Sequence, residues 1–99
     1  MATDNRSAAN KISNASVAMS TVSASMASSI PSYCNYILLS NADASINILV
    51  SFDAGTTWFT LKPSQALSVD CIDFKARNTL HAKSASGTPT LEMIFGAEV

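Results

Sequence analysis

The sequence predicts an all-β fold: a small antiparallel β-sandwich, jelly-roll-like, of about seven strands, with an extended N-terminal arm. The arm is assigned to residues 1–15 and a single sandwich domain to residues 16–99. Three observations carry this reading. Short segments alternate large apolar with small or polar residues at the two-residue period of a strand. Turn signals of Gly, Pro, Asn, Asp and Ser separate them roughly every 8–12 residues. Between them no stretch has the sustained 3.6-residue period of an amphipathic helix.

Residues 1–32 are rich in Ala and Ser, and beyond Met1 their large apolar residues are Ile12, Val17, Met19, Val22, Met26 and Ile30. So little bulk does not offset the entropy of ordering the segment alone. The arm is therefore expected to dock on neighbouring subunits, with Ile12, Val17, Met19, Val22 and Met26 as its contact residues. Two conformations compete. Ile12, Met19 and Met26 recur at heptad spacing, with Ala15 and Val22 between, as on a helix. Val17, Met19 and Thr21 alternate with Ser16, Ala18 and Ser20, as on a strand, and Ser, Asn and Thr are mediocre helix formers. The reading taken is an extended arm to about Asn14, then a strand near Ser16 to Met26.

Pro31 biases Ile30 away from helix. Tyr33 to Ser40, YCNYILLS, is the next strand, stopped by Asn41-Ala42-Asp43-Ala44. The clearest element follows. In INILVSFDAGTTWFTL, residues 46–61, Ile48, Val50 and Phe52 alternate with Asn47, Leu49 and Ser51 before a tight loop. Gly55 in that loop accepts a positive φ, Asp53 is placed to accept loop amides, and Trp58 to Leu61 resume as a strand. Lys62-Pro63-Ser64-Gln65 is a turn with Pro63 at the first central position of a type I turn. Leu67, Val69 and Cys71 alternate with Ser68, Asp70 and Ile72. Asp73 to Asn78 is polar with Phe74 as its anchor, and Thr79 to Ser84 is a strand with Leu80 and Ala82 on one face. Ser84 to Pro89 turns, and Thr90 to Phe95 is the last strand. Its parity is open, because Leu91, Met93, Ile94 and Phe95 are all apolar; apolar residues on both faces suit an interface strand.

Charged residues make up 13% of the chain against 47% hydrophobic, and the net charge is −1. That is about half the usual charge of a soluble domain. The composition suits a protein that covers much of its surface with copies of itself or a partner. Basic residues form no run or stripe, so nucleic acid is not an expected partner. No apolar run approaches the roughly 20 residues of a membrane-spanning helix. The N-terminus has no apolar core of a secretory signal, so the expected place of synthesis is the cytoplasm.

Little in the chain forms a catalytic constellation. His81, the single histidine, points opposite to Leu80 and Ala82 and has no Cys neighbour at ligand spacing. No serine occupies a nucleophile elbow. Asp53, Asp70 and Asp73 read as solvated loop acids. Cys34 and Cys71 fit neither a metal pair nor a redox motif, and read as buried thiols, a disulfide being the alternative. Trp58, Phe59, Tyr33 and Tyr36 pack as core or form a sugar-stacking platform, the core being favoured. The expected catalytic, cofactor and metal residues are none, and no enzyme is expected.

Two resemblances add to this. Ser51-x-Asp53-x-Gly55-x-Thr57-Trp58 resembles the Asp-box of sialidase and other β hairpins, which implies a structural hairpin in which Ser51 and Asp53 tie the loop and Trp58 packs beneath it. A sialidase propeller is excluded, since one four-stranded blade needs roughly 40–50 residues. On a longer scale, YILLSN at Tyr36–Asn41, ILVSFDAGTTW at Ile48–Trp58, LKPSQAL at Leu61–Leu67 and TLHAKSASG at Thr79–Gly87 resemble small virion proteins of tailed bacteriophages. The sequence departs from that plan at Ala54 and Ser64, where Gly is usual. The resemblance implies a non-enzymatic β-sandwich, a capsid cement or decoration protein or a neck or tail accessory, assembled in the host cytoplasm. Its implied partners are the major capsid protein, other virion subunits or sister copies. A carbohydrate-binding or adhesion module using Trp58, Phe59 and a tyrosine is the alternative.

Overall fold

Alternation decides the architecture, and in the structure, a computed structural model describing residues 12–31, 34–70 and 78–96, it produces eight strands. These are β1 (Ile12–Ala18), β2 (Ala24–Ser25), β3 (Tyr36–Asn41), β4 (Ile48–Ser51), β5 (Phe59–Leu61), β6 (Ala66–Val69), β7 (His81–Ser84) and β8 (Thr90–Gly96). They form two four-stranded antiparallel sheets, ordered β1-β8-β3-β6 and β2-β7-β4-β5. The first four strands pair in reverse order with the last four: β1 with β8, β2 with β7, β3 with β6 and β4 with β5. The all-β expectation holds, with two layers of four strands.

Side chains at every second position point inward and meet between the sheets. Ile37 and Leu39 of β3, and Leu91, Met93 and Phe95 of β8, face Ile48 and Val50 of β4, Leu61 of β5 and Ala82 of β7, all essentially inaccessible to water. Full burial of each large aliphatic or aromatic side chain contributes about 1.5–3 kcal/mol. The open parity of the last strand is thereby resolved. Leu91, Met93 and Phe95 face the core, and Ile94 points out at 39% exposure.

The N-terminal reading needs correction. The strand begins at Ile12, inside the expected arm, and ends at Ala18 rather than at Met26. Each residue from Ile12 to Ala18 pairs with β8, from Gly96 back to Thr90. The chain then crosses from one sheet to the other. The Met19 N–H donates to the Pro89 carbonyl at 2.8 Å, the Ser20 carbonyl accepts from Ser84 N–H at 2.7 Å, and the Met26 N–H donates to Leu80 at 2.8 Å. Inter-strand partners for the backbone outweigh the weak heptad pattern, because these Ser- and Thr-rich residues have little helical preference to lose. Within residues 12–31, helical geometry appears only as the 3-10 turn Ala27–Ser29.

Two further expectations change. Asn78 and Thr79 are helical, so the seventh strand starts at His81 rather than Thr79. The Thr79 hydroxyl donates to the Phe52 carbonyl at 2.7 Å, and its own carbonyl accepts from Ala54 N–H at 3.0 Å. The Pro63 turn is type II, not type I. Gln65 N–H donates to the Lys62 carbonyl at 3.0 Å, and Ser64, the second central residue, has φ +63°. A positive φ there defines type II. Two bonds hold it: Gln65 Oε1 accepts from Lys62 N–H at 2.8 Å, and Ser64 N–H reaches the Asn41 carbonyl at 3.0 Å.

Asn41 links the layers. Fully buried at the end of β3, its amide donates to the carbonyls of Ile46 at 2.8 Å and Leu61 at 2.9 Å, while Oδ1 accepts from Asp43 N–H at 3.0 Å. A buried amide is tolerated when its hydrogen bonds are made, as here. Tyr36 lies flat over Gly96, so a Cβ at Gly96 would sit 2.0 Å from the ring. Cys34 is a buried thiol whose Sγ donates to the Tyr36 carbonyl at 3.0 Å. Cys71 lies outside the described residues, as do Tyr33, Asp73, Phe74 and the arm up to Lys11. Among the described residues no helix is long and apolar enough to cross a membrane.

Candidate functional site

The β4–β5 hairpin is held by its own side chains. Ser51 Oγ donates to Asp53 Oδ1 at 2.6 Å and accepts from the N–H of Gly55 at 2.9 Å. Asp53 in turn accepts from the Thr57 N–H at 2.9 Å and the Thr57 hydroxyl at 2.6 Å. These bonds hold the exposed Asp53 carboxyl well below the usual carboxylate range, at about 2, the Ser51 hydroxyl contributing most, then Thr57. Gly55 takes φ +93°, and a Cβ there would lie 3.5 Å from Trp58 Cζ2, so the loop closes against the indole. Ser51, Asp53, Gly55, Thr57 and Trp58 thus form one hydrogen-bonded and packed unit. Asp53 is engaged in holding the loop.

Beside this unit is a groove of about 270 Å³ lined by Val50, Ser51, Phe52, Asp53, Thr57, Trp58 and Phe59. Phe59 is 45% exposed. Lys83 Nζ stands 4.5 Å from the centre of the Trp58 ring, a cation–π contact that covers one ring face. Of the described aromatic residues grouped in the sequence reading, Trp58 and Phe59 share the groove, whereas Tyr36 lies in the other sheet. His81 is half-buried, with Nδ1 3.3 Å from Ser23 Oγ. Asp70 is exposed after β6. Among the described residues no three His, Cys, Asp or Glu side chains gather as metal ligands.

The second candidate is the outer face of the β1-β8-β3-β6 sheet. These four strands contain a single charged residue, Glu92. Register aligns Asn14 with Ile94 and Leu38 in one row, and Ser16 with Glu92 and Ser40 in the next. A groove of about 330 Å³ runs among them. Of the five residues expected to bind a partner, Ile12 and Val22 are 69% and 72% exposed. Val17 is half-buried against the core. Met19 and Met26 are buried, so both are core residues and not surface contacts. They anchor the chain where it changes sheets, a role that spacing alone does not reveal. Leu38 and Lys83 went unnoticed in the sequence; for the outward Ile94, the broken parity of the last strand was the signal.

No protein-family model and no curated protein sequence matches the chain. Among solved structures it is similar to hydroxypropylphosphonic acid epoxidase from S. wedmorenis, with TM-score 0.49 and 10% identity over 91% of this chain and 44% of that one. It is also similar to the protein of Bacillus endospore appendages, described as disulfide-linked pili, with TM-score 0.45 and 13% identity over 91% of each chain. The chain spans less than half the length of the epoxidase.

Proposed function

We propose that the chain is a non-enzymatic structural subunit that works by lateral contact in an ordered assembly. The observation that carries this is the outer face of the β1-β8-β3-β6 sheet: four strands with one charge, an exposed Ile12 and Ile94, and a shallow groove. A face so poor in charge resembles an interface core, from which charged residues are depleted. A jelly-roll reading of the two antiparallel four-stranded sheets supports this, since that architecture hosts viral capsid and lectin domains. The resemblance of the β3, β4–β5 and β7 segments to small tailed-phage proteins makes the assembly a virion. The position there is capsid cement or decoration on the major capsid protein, or a neck or tail accessory. Quantitative mass spectrometry of particles from the native source tests this. A copy number in simple ratio to the major capsid subunit is the expected result, a few to a few dozen copies would place it at the neck or tail, and absence from particles overturns the virion reading.

A second reading rests on a specific observation, the Trp58–Phe59 groove. Aromatic faces beside hydrogen-bonding Asp53 and Thr57 are the chemistry of a carbohydrate-binding or adhesion module. On that reading Phe59→Ala removes saturable glycan binding without loss of fold. A glycan array with no signal for the wild-type chain ends it.

A further inference from the structure

A guanidinium is recognised where an aromatic face and a carboxylate oxygen converge, because the face attracts its charge and the oxygen accepts its N–H groups. The groove beside the β4–β5 hairpin brings these two together. Val50 and Ser51, both buried, and the half-buried Phe52 form its floor, and Trp58 and the exposed Phe59 are its aromatic walls. Of the lining residues Asp53 carries the only charge. Its carboxyl is held at about 2 and is therefore ionised at neutral pH. An ionised carboxylate offers roughly four acceptor sites. Among the described residues three are used, by the Ser51 hydroxyl and Thr57 N–H on Oδ1 and by the Thr57 hydroxyl on Oδ2. Oδ2 keeps room for one more donor. The indole adds an independent observation, since it already takes a cation. Lys83 Nζ, 4.5 Å from the ring centre, is inside the roughly 6 Å range of a cation–π contact, and Lys83 is not part of the groove lining. The groove's volume of about 270 Å³ falls below the roughly 300–1,000 Å³ of small-molecule sites, which suits one side chain better than a run of sugar rings.

We propose that this groove docks an arginine side chain presented by a partner protein, the guanidinium stacking on Phe59 and donating one N–H to Asp53 Oδ2. Charge complementarity selects this occupant, because the single charge of the lining is negative. An acidic side chain is repelled by Asp53, and a neutral sugar leaves its charge unused. A lysine ammonium is a compact, strongly hydrated point charge, whereas the guanidinium is planar, weakly hydrated and stacks on rings. The inference is independent of the charge-poor outer face of the other sheet, on which the structural-subunit reading rests.

Trp58 is the only tryptophan, so its fluorescence reports on the groove directly. The test titrates the full chain, at fixed ionic strength, with Nα-acetyl-arginine methylamide and with its citrulline counterpart, which keeps the planar shape and lacks the charge. The expected result is a saturable change in emission in the millimolar range for the arginine compound. Binding of the citrulline compound is expected to be about tenfold weaker, the difference between a charged and a neutral hydrogen bond. F59A leaves the hydrogen bonds of Ser51, Asp53 and Thr57 in place. It is expected to weaken arginine binding about two- to fivefold, the worth of an exposed cation–π contact, with an unchanged circular dichroism spectrum. No saturable response to the arginine compound, equal binding of the citrulline compound, or undiminished binding by F59A overturns the proposal. Saturation by a neutral methyl glycoside without a response to arginine overturns it in favour of the carbohydrate reading. The copy number on particles is a separate measurement, so failure of arginine binding leaves the virion reading intact.

Discussion

Ala54 and Ser64 carry φ values of +58° and +63°, the left-handed region that side chains with a Cβ occupy at a cost of about 1–2 kcal/mol. They are also the two positions where the phage-like pattern usually has Gly. Beside Gly55 and Pro63 the turns are kept, and both non-glycine residues adopt the left-handed conformation. Neighbouring bonds enforce it, Ala54 N–H on the Thr79 carbonyl and Ser64 N–H on the Asn41 carbonyl, both at 3.0 Å. Replacing either by Gly relieves the strain while making the unfolded chain more flexible by about 0.4–1 kcal/mol. A54G and S64G are each expected to raise stability by about 0.5–1 kcal/mol, read as a higher midpoint in urea at unchanged slope. A lowered midpoint for both would show the left-handed residues to be unstrained.

At the scale of an element, the β4–β5 hairpin depends on the ionised state of Asp53. The carboxyl is held at about 2 in the folded chain, principally by the Ser51 hydroxyl, then by the Thr57 hydroxyl and N–H. An unperturbed Asp titrates near about 3.9. The folded value is depressed, so the hairpin's contribution is fully present above the unfolded value and lost as pH falls toward the folded one. Asp43, lowered by the Ser45 and Ile46 N–H groups, acts in the same direction. Thermal melts of wild type and D53N are expected to differ most near neutral pH and to converge as the pH approaches about 2. A constant gap across that range would assign the cost of D53N to packing instead.

For the whole molecule, legibility followed the range of the interaction. The hairpin was readable down to single hydrogen bonds, because Ser51, Asp53, Gly55 and Thr57 are close in sequence and their bonds span at most four residues. Strands β3 to β8 were readable from alternation to within two or three residues at their ends. Residues 12–30 were not, since small side chains support a helical stripe and a strand equally. Their structure comes from β8 and β7, which lie about sixty or more positions away. The Trp58 surroundings divide in the same way: the loop beneath it was legible, but Lys83 reaches the ring from another strand.

By itself the sequence determined the all-β class, the hairpin, most strand positions and a charge-poor surface, since each follows from local periodicity, turn chemistry or composition. Only the tertiary structure decided that Met19 and Met26 are core, that Asn41 ties the two layers, that Tyr36 lies in the sheet away from the Trp58–Phe59 groove, and that β1 is outermost among the described strands of its sheet. Those facts depend on which distant strands meet. That choice is made by burying all the alternating faces together, a collective energy that no short segment contains.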